Sequence, residues 1–149
     1  MALAQKRPML FALPQAGWKE YVSLPKLGLG PLVAKLDTGA RSAALHADGV
    51  KIVGKRVTFT IENDGRTISH TATLHSRKRI KSSNGQSEDR PVIETPILMG
   101  GTMFLTEITL TDRTDMDVAL LLGRNSLKGR FVVNSAHTFL LSRRRKMPA

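Results

Sequence analysis

Short runs of alternating apolar and polar residues succeed one another along this chain with little between them but turn residues. The runs are KEYVSLP, GPLVAKLD after the turn signal KLGLG, VKIVGKRVTFTI, TISHTATL, PVIETPILM, TMFLTEITLT and RFVVNSAHTFLLS. Alternation with period two lets one face of each run meet a core while the other stays wet. Breaks at Asn63-Asp64-Gly65 and Gly100-Gly101 are hairpin signals, because these residues tolerate the left-handed backbone of tight turns. Helical periodicity is confined to two short pieces, a weak one at SAALHA and a better one over Arg124 to Lys128, after the apolar LLL and before Gly129. About eight strands at such spacing predict an all-β sandwich or closed barrel rather than alternating β/α units.

Residues 1–16 read as a flexible arm, 17–141 as the single folded domain and 142–149 as a basic tail. A chain of 149 residues is long enough to bury roughly 70% of its unfolded surface in one core. With 41% hydrophobic and 23% charged residues, the balance is that of a globular protein. The absence of cysteine excludes disulfides, thiolate metal sites and a cysteine nucleophile. No apolar run approaches the ~20 residues that span a bilayer, and the N-terminus lacks a signal peptide pattern. A cytoplasmic protein with no membrane partner is expected.

The net charge of +11 favours polyanionic partners. Much of the excess lies in RKRIK (Arg77 to Lys81) and RRRK (Arg143 to Lys146). Aromatic residues do not interleave with either run, which weakens a base-stacking role and makes nucleic acid at most an indirect partner. Between the strands stands one long polar interruption, RKRIKSSNGQSEDRP, expected as a loop.

One triplet offers chemistry: Asp37-Thr38-Gly39, at the end of the apolar run PLVAKL. A triplet of this type arises by chance in roughly one chain in twenty of this length, so alone it is weak. A carboxylate working on a peptide bond commonly needs a second beside it: the two share a proton, one acting as base on water and the other polarising the carbonyl. Asp37 supplies one carboxylate, Thr38 a hydroxyl able to lock the loop, and Gly39 room for close approach. The chain has one such triplet and no internal repeat.

DTGA after a strand, followed near the C-terminus by LLLGRNSL, resembles the retropepsin-type aspartic proteases. The blocks GWKEYVSLPKLGLGPLVAKLDTGARSAALHA, SSNGQSEDRPVI, EITLTDR and LLGRNSLKGRFVV resemble, in order, the bacterial RimB family of retropepsin-like proteins, often catalogued as ATP-dependent zinc proteases. The resemblance spans about Gly17 to Leu141. It implies a closed barrel with one short C-terminal helix and a homodimer in which the second Asp37 comes from the symmetry mate. It also implies an aspartic peptidase acting on glutamate-rich peptide, trimming glutamates that a RimK-type ligase adds to the tail of a small-subunit ribosomal protein.

On that resemblance Asp37, Thr38 and Gly39 are catalytic. Ala40, Arg41, Ser42, Lys81, Ser83 and Arg90 bind substrate, while Gly123 and Arg124 support the loop, Arg124 more readily through a structural ion pair than through substrate. Arg41 stands where viral retropepsins carry acids, and a guanidinium there can grip a carboxylate bidentately. The RKRIKSSNGQSEDRP segment becomes a flap. No cofactor and no metal are expected: His46, His70, His75 and His137 show no HExxH spacing, and the chain has no P-loop for ATP. The competing expectation is a catalytically silent basic β-barrel that binds ribosome, RNA or acidic protein.

Overall fold

Alternating burial along the first strands shows how the runs assemble. The structure, a computed structural model, describes residues 13–63, 65–81, 85–112 and 116–141. After β1 (Gln15–Gly17), β2 (Lys19–Leu24) sends Glu20, Val22 and Leu24 inward. β2 turns through a 3-10 segment at Pro25–Leu27 into the antiparallel β3 (Leu29–Leu36), whose Leu32, Ala34 and Leu36 are buried. Then come β4 (Ala43–His46), β5 (Asp48–Val53), β6 (Arg56–Asn63) and β7 (Arg66–Thr73). β8 (Ser76–Lys81), β9 (Ser87–Met99) and β10 (Thr102–Thr111) follow. β11 (Leu120–Leu122), α1 (Arg124–Leu127) and β12 (Val132–Asn134) complete the described chain.

Six strands in the order β10-β4-β11-β3-β2-β9 close into a barrel, because β9 also pairs with β10 across the Gly100-Gly101 turn. β8 extends the ring from the free edge of β9. β5, β6 and β7 form a separate antiparallel sheet. On β6, the buried Val57, Phe59 and Ile61 alternate with wetter residues and join the same core as Leu45, Ile93, Ile97, Ile108 and Leu120. Among the described residues no helix is long and apolar enough to cross a membrane.

The architecture agrees with the predicted all-β barrel with one short helix, and four local expectations change. SAALHA is not helical. It is a strand with Ala43 and Leu45 inward, held between β10 and β11, and two ladders outweigh the modest helix preference of alanine. VKIVGKRVTFTI is two strands around a turn at Gly54, whose φ of 61° suits glycine. The polar RKRIKSSNGQSEDRP segment is mostly a hairpin, its basic and acidic stems paired as β8 and β9. RFVVNSAHTFLLS contributes only three strand residues, β12, which run parallel to Gln15–Gly17.

The last described residues are tied down by Glu20. This acid is fully buried, and its Oε2 accepts hydrogen bonds from the amides of Gly17 (2.7 Å), Leu140 (2.8 Å) and Leu141 (3.1 Å). One carboxylate thus joins β2, the β1 end and the C-terminal turn. Replacing Glu20 with Ala strands these donors and is expected to cost about 3 kcal/mol, with Glu20→Gln, which keeps an acceptor, costing less. Urea denaturation of both variants measures the difference.

His70 lies on β7 against the Phe59 ring, centroids 5.6 Å apart, with its Nε2 buried and without a hydrogen-bond partner among the described residues. Burial holds its pKa below 6.5, with a backbone hydrogen bond at Leu27 pulling partly the other way. The unfolded chain therefore binds more protons just below pH 6.5, so this contribution to stability is complete above that pH and falls as acid is added. In urea midpoints from about pH 5 to 8, His70→Phe should show a shallower acid-side decline than wild type.

Candidate active site

Asp37 follows β3 directly, and its position depends on a strand far away in sequence. β3 and β4 flank the Asp-Thr-Gly loop but do not pair with each other. β11 lies between them, parallel to β3 (Leu122 beside Leu36) and antiparallel to β4 (Leu120 opposite Leu45). The loop from Asp37 to Ser42 must therefore arch over the end of β11. The Asp37 amide donates to the Leu122 carbonyl at 2.8 Å.

Gly123 is the point of closest approach. A Cβ built there would lie 2.7 Å from both the amide nitrogen and the carbonyl oxygen of Ser42 and 2.8 Å from the Ala40 oxygen. Beyond it, the Arg124 amide donates to Ala40 O (2.8 Å) and the Asn125 amide to Arg41 O (2.9 Å). Arg124 Nη1 donates to Thr38 O at 3.0 Å, so this side chain holds the loop through a carbonyl, and among the described residues it makes no ion pair. Inside the loop the Gly39 amide donates to Asp37 Oδ1 at 2.9 Å. One carboxylate oxygen is thereby fixed, and among the described residues Oδ2 has no partner.

Asp37, Ala40, Arg41, Ser42 and Arg90, all expected at the site, line one cavity of about 500 Å³. Thr38 and Gly39 stand exposed at the loop tip. A neighbouring hollow of about 530 Å³ is shared by Thr38, Arg41, Arg124 and Phe131. Lys81 is not brought to the cavity. β8 pairs with β9 in unbroken register, and Lys78 and Ile80 line the cavity, so Lys81 projects from the opposite face. Ser83 lies outside the described residues. Glu94, an acid in the same sequence block, faces a separate cavity with Lys26 and Arg56.

Sequence reasoning passed over three charged residues of the cavity, Lys35, Lys78 and Asp117. Alternation on β8 would have shown which of its cations share a face, but not which face meets Asp37. The cavity does not suit zinc: among the described residues its charged lining is four cations with Asp37 and Asp117, and it has no histidine. Elsewhere the fold brings His46, Asp48 and Asp112 together, with donor atoms within 4.8 Å of one another. None of these three lines the Asp37 cavity.

The model of the retropepsin-like aspartic endopeptidase RimB family matches residues 15–144. This chain belongs to the RimB-like family. It is 34% identical over 133 residues to a probable alpha-L-glutamate ligase of Shewanella pealeana, an overlap of 84% of this chain and 29% of that protein. A protein of the same name from Desulfotalea psychrophila is 33% identical over 129 residues, 80% of this chain and 28% of its own length. The chain thus spans less than a third of these relatives. A crystal structure of a Legionella pneumophila protein titled as having unknown function superposes with a TM-score of 0.74 at 29% identity, over 86% of this chain and 98% of that one.

In this RimB-like chain the loop bearing the acid is thus stitched to β11 and α1 by backbone bonds that a side chain at Gly123 would prevent. Gly123→Ala is expected to destabilise the fold by about 2 kcal/mol or more, because the neighbours it meets are backbone and cannot swing away. The check is chemical denaturation beside Gly129→Ser, which meets open space but carries only the strain of its positive φ.

Proposed function

We propose that this protein is an aspartic peptidase acting on glutamate-rich peptide, with Asp37 from two copies forming the catalytic pair. The observation that carries the reading is Asp37 itself, with one carboxylate oxygen fixed by Gly39 and the cavity beside it lined by Lys35, Arg41, Lys78 and Arg90. A single carboxylate is half of the required set, and the exposed Asp-Thr-Gly loop tip leaves it open to a second copy. One Asp37 takes a proton from water while its protonated mate donates to the scissile carbonyl. The hydroxide adds to the carbonyl carbon, and the tetrahedral intermediate expels the amine as the proton passes to its nitrogen. Arg41 and its cationic neighbours hold the acidic side chains of the substrate.

The substrate we infer is the acidic tail of a small-subunit ribosomal protein extended with glutamates by a RimK-type ligase, a cytoplasmic setting. Relatives named as probable glutamate ligases, of which this chain matches under a third, support that link between glutamate addition and a domain of this kind. The net charge of +11 suits so acidic a partner.

Purified protein mixed with a glutamate-tailed peptide should release glutamate-containing fragments, read by mass spectrometry from about pH 4 to 8, with or without chelator. Asp37→Asn should lower the rate by about 10³-fold while keeping fold and sedimentation coefficient. Undiminished cleavage by the Asn variant would refute the dyad. Absence of cleavage together with ribosome binding lost on neutralising Arg143 to Lys146 would favour a silent basic barrel instead.

A further inference from the structure

The two faces of the β8–β9 hairpin are charged differently. On the outer face Arg79 stands opposite Asp89 and pairs with it, Nε to Oδ1 3.2 Å. On the inner face Lys78 stands opposite Arg90, a cation directly across from a cation. Like charges in that register oppose strand pairing. Arg90 has partial relief from Glu88 on its own strand, Nη2 to Oε2 3.4 Å, although among the described residues its buried Nε has no partner. Lys78 has no acid within ion-pair distance among the described residues. Its ammonium instead donates to the Ser42 hydroxyl at 3.0 Å, five residues beyond Asp37.

Lys78 is thus an exposed cation on the cavity side of the hairpin, tethered to the catalytic loop by a neutral acceptor. Lys35, Arg41 and Arg90 share the cavity, and the acids on its lining are Asp37 and Asp117. Among the described residues, four cations against two acids leave this space electropositive beside the carboxylate that would act on the peptide bond. An entering carboxylate replaces the neutral hydroxyl acceptor of Lys78 by an anionic one, turning a hydrogen bond into an ion pair, and offsets its repulsion with Arg90.

We propose that Lys78 is the specificity-determining cation of the site: it takes the side-chain carboxylate of an acidic residue next to the scissile bond, with the Ser42 hydroxyl as its resting partner. This inference rests on the glutamate-peptidase reading and assigns the selectivity of that site to the hairpin stem as well as to the loop residue Arg41. It gives the hairpin a reason to carry a lysine opposite an arginine.

Binding separates this role from catalysis. Full-length Asp37→Asn protein, inert by design, is titrated with fluorescent peptides of equal length that end in glutamates or in glutamines. Adding Lys78→Met should weaken the glutamate peptide roughly ten- to hundredfold and leave the glutamine peptide unchanged, while Lys78→Arg retains most of the affinity. Arg77→Met is the charge-matched control, because Arg77 occupies the outer face of the same strand. Equal losses for Lys78→Met and Arg77→Met would show a diffuse electrostatic effect and overturn the assignment, with the glutamate reading intact. If the parent Asp37→Asn protein prefers neither peptide, the glutamate reading itself fails and the inference falls with it.

Discussion

Everything at this site depends on one strand insertion. β11 separates β3 from β4, so the six residues between those strands cannot close as a hairpin and instead span the end of β11. The span is held by amides of Asp37, Arg124 and Asn125 and is possible because Gly123 has no side chain. Burial of Leu120 and Leu122 anchors β11, so the position of Asp37 rests on the barrel core. A loop built this way is fixed by backbone bonds where it holds the carboxylate and exposed at its tip, Thr38 and Gly39.

Charge is arranged around that frame with different degrees of compensation. Glu20, fully buried, accepts from three backbone amides and fastens the end of β1 and the turn at residues 140–141 to β2. Arg79 and Asp89 neutralise each other on the outer face of the hairpin. Cations left against a neutral acceptor or each other face the Asp37 cavity. Uncompensated charge costs stability in a folded chain, and its concentration at one cavity is the pattern expected where a ligand supplies the missing sign.

Much of the strand framework was legible because half-buried strands carry period-two alternation. TMFLTEITLT is β10 with the predicted ends, and the breaks at Asn63 to Gly65 and at Gly100-Gly101 do join antiparallel strands. The misreadings have local physical causes. SAALHA carries small residues that suit helix or strand, and only its neighbours on both edges make it β4. The basic stem of β8 has no apolar face of its own to bury, so no periodicity marked it as a strand. Glu20 sat unnoticed in a strand pattern, since nothing local shows that its carboxylate will meet amides from residues 140 and 141.

By itself the sequence determined the fold class, the position of the acid at a strand end, the excess of positive charge and the family blocks that join DTGA to LLLGRNSL, because each is written in neighbouring residues. Tertiary structure alone decided which charges meet. It set Arg41, Lys78 and Arg90 around Asp37 and turned Lys81 away, although Lys81 lies only three residues from Lys78. The reason is geometric: side chains alternate along a strand, so a shift of one residue in register exchanges the two faces, and register is set by pairing with a distant strand.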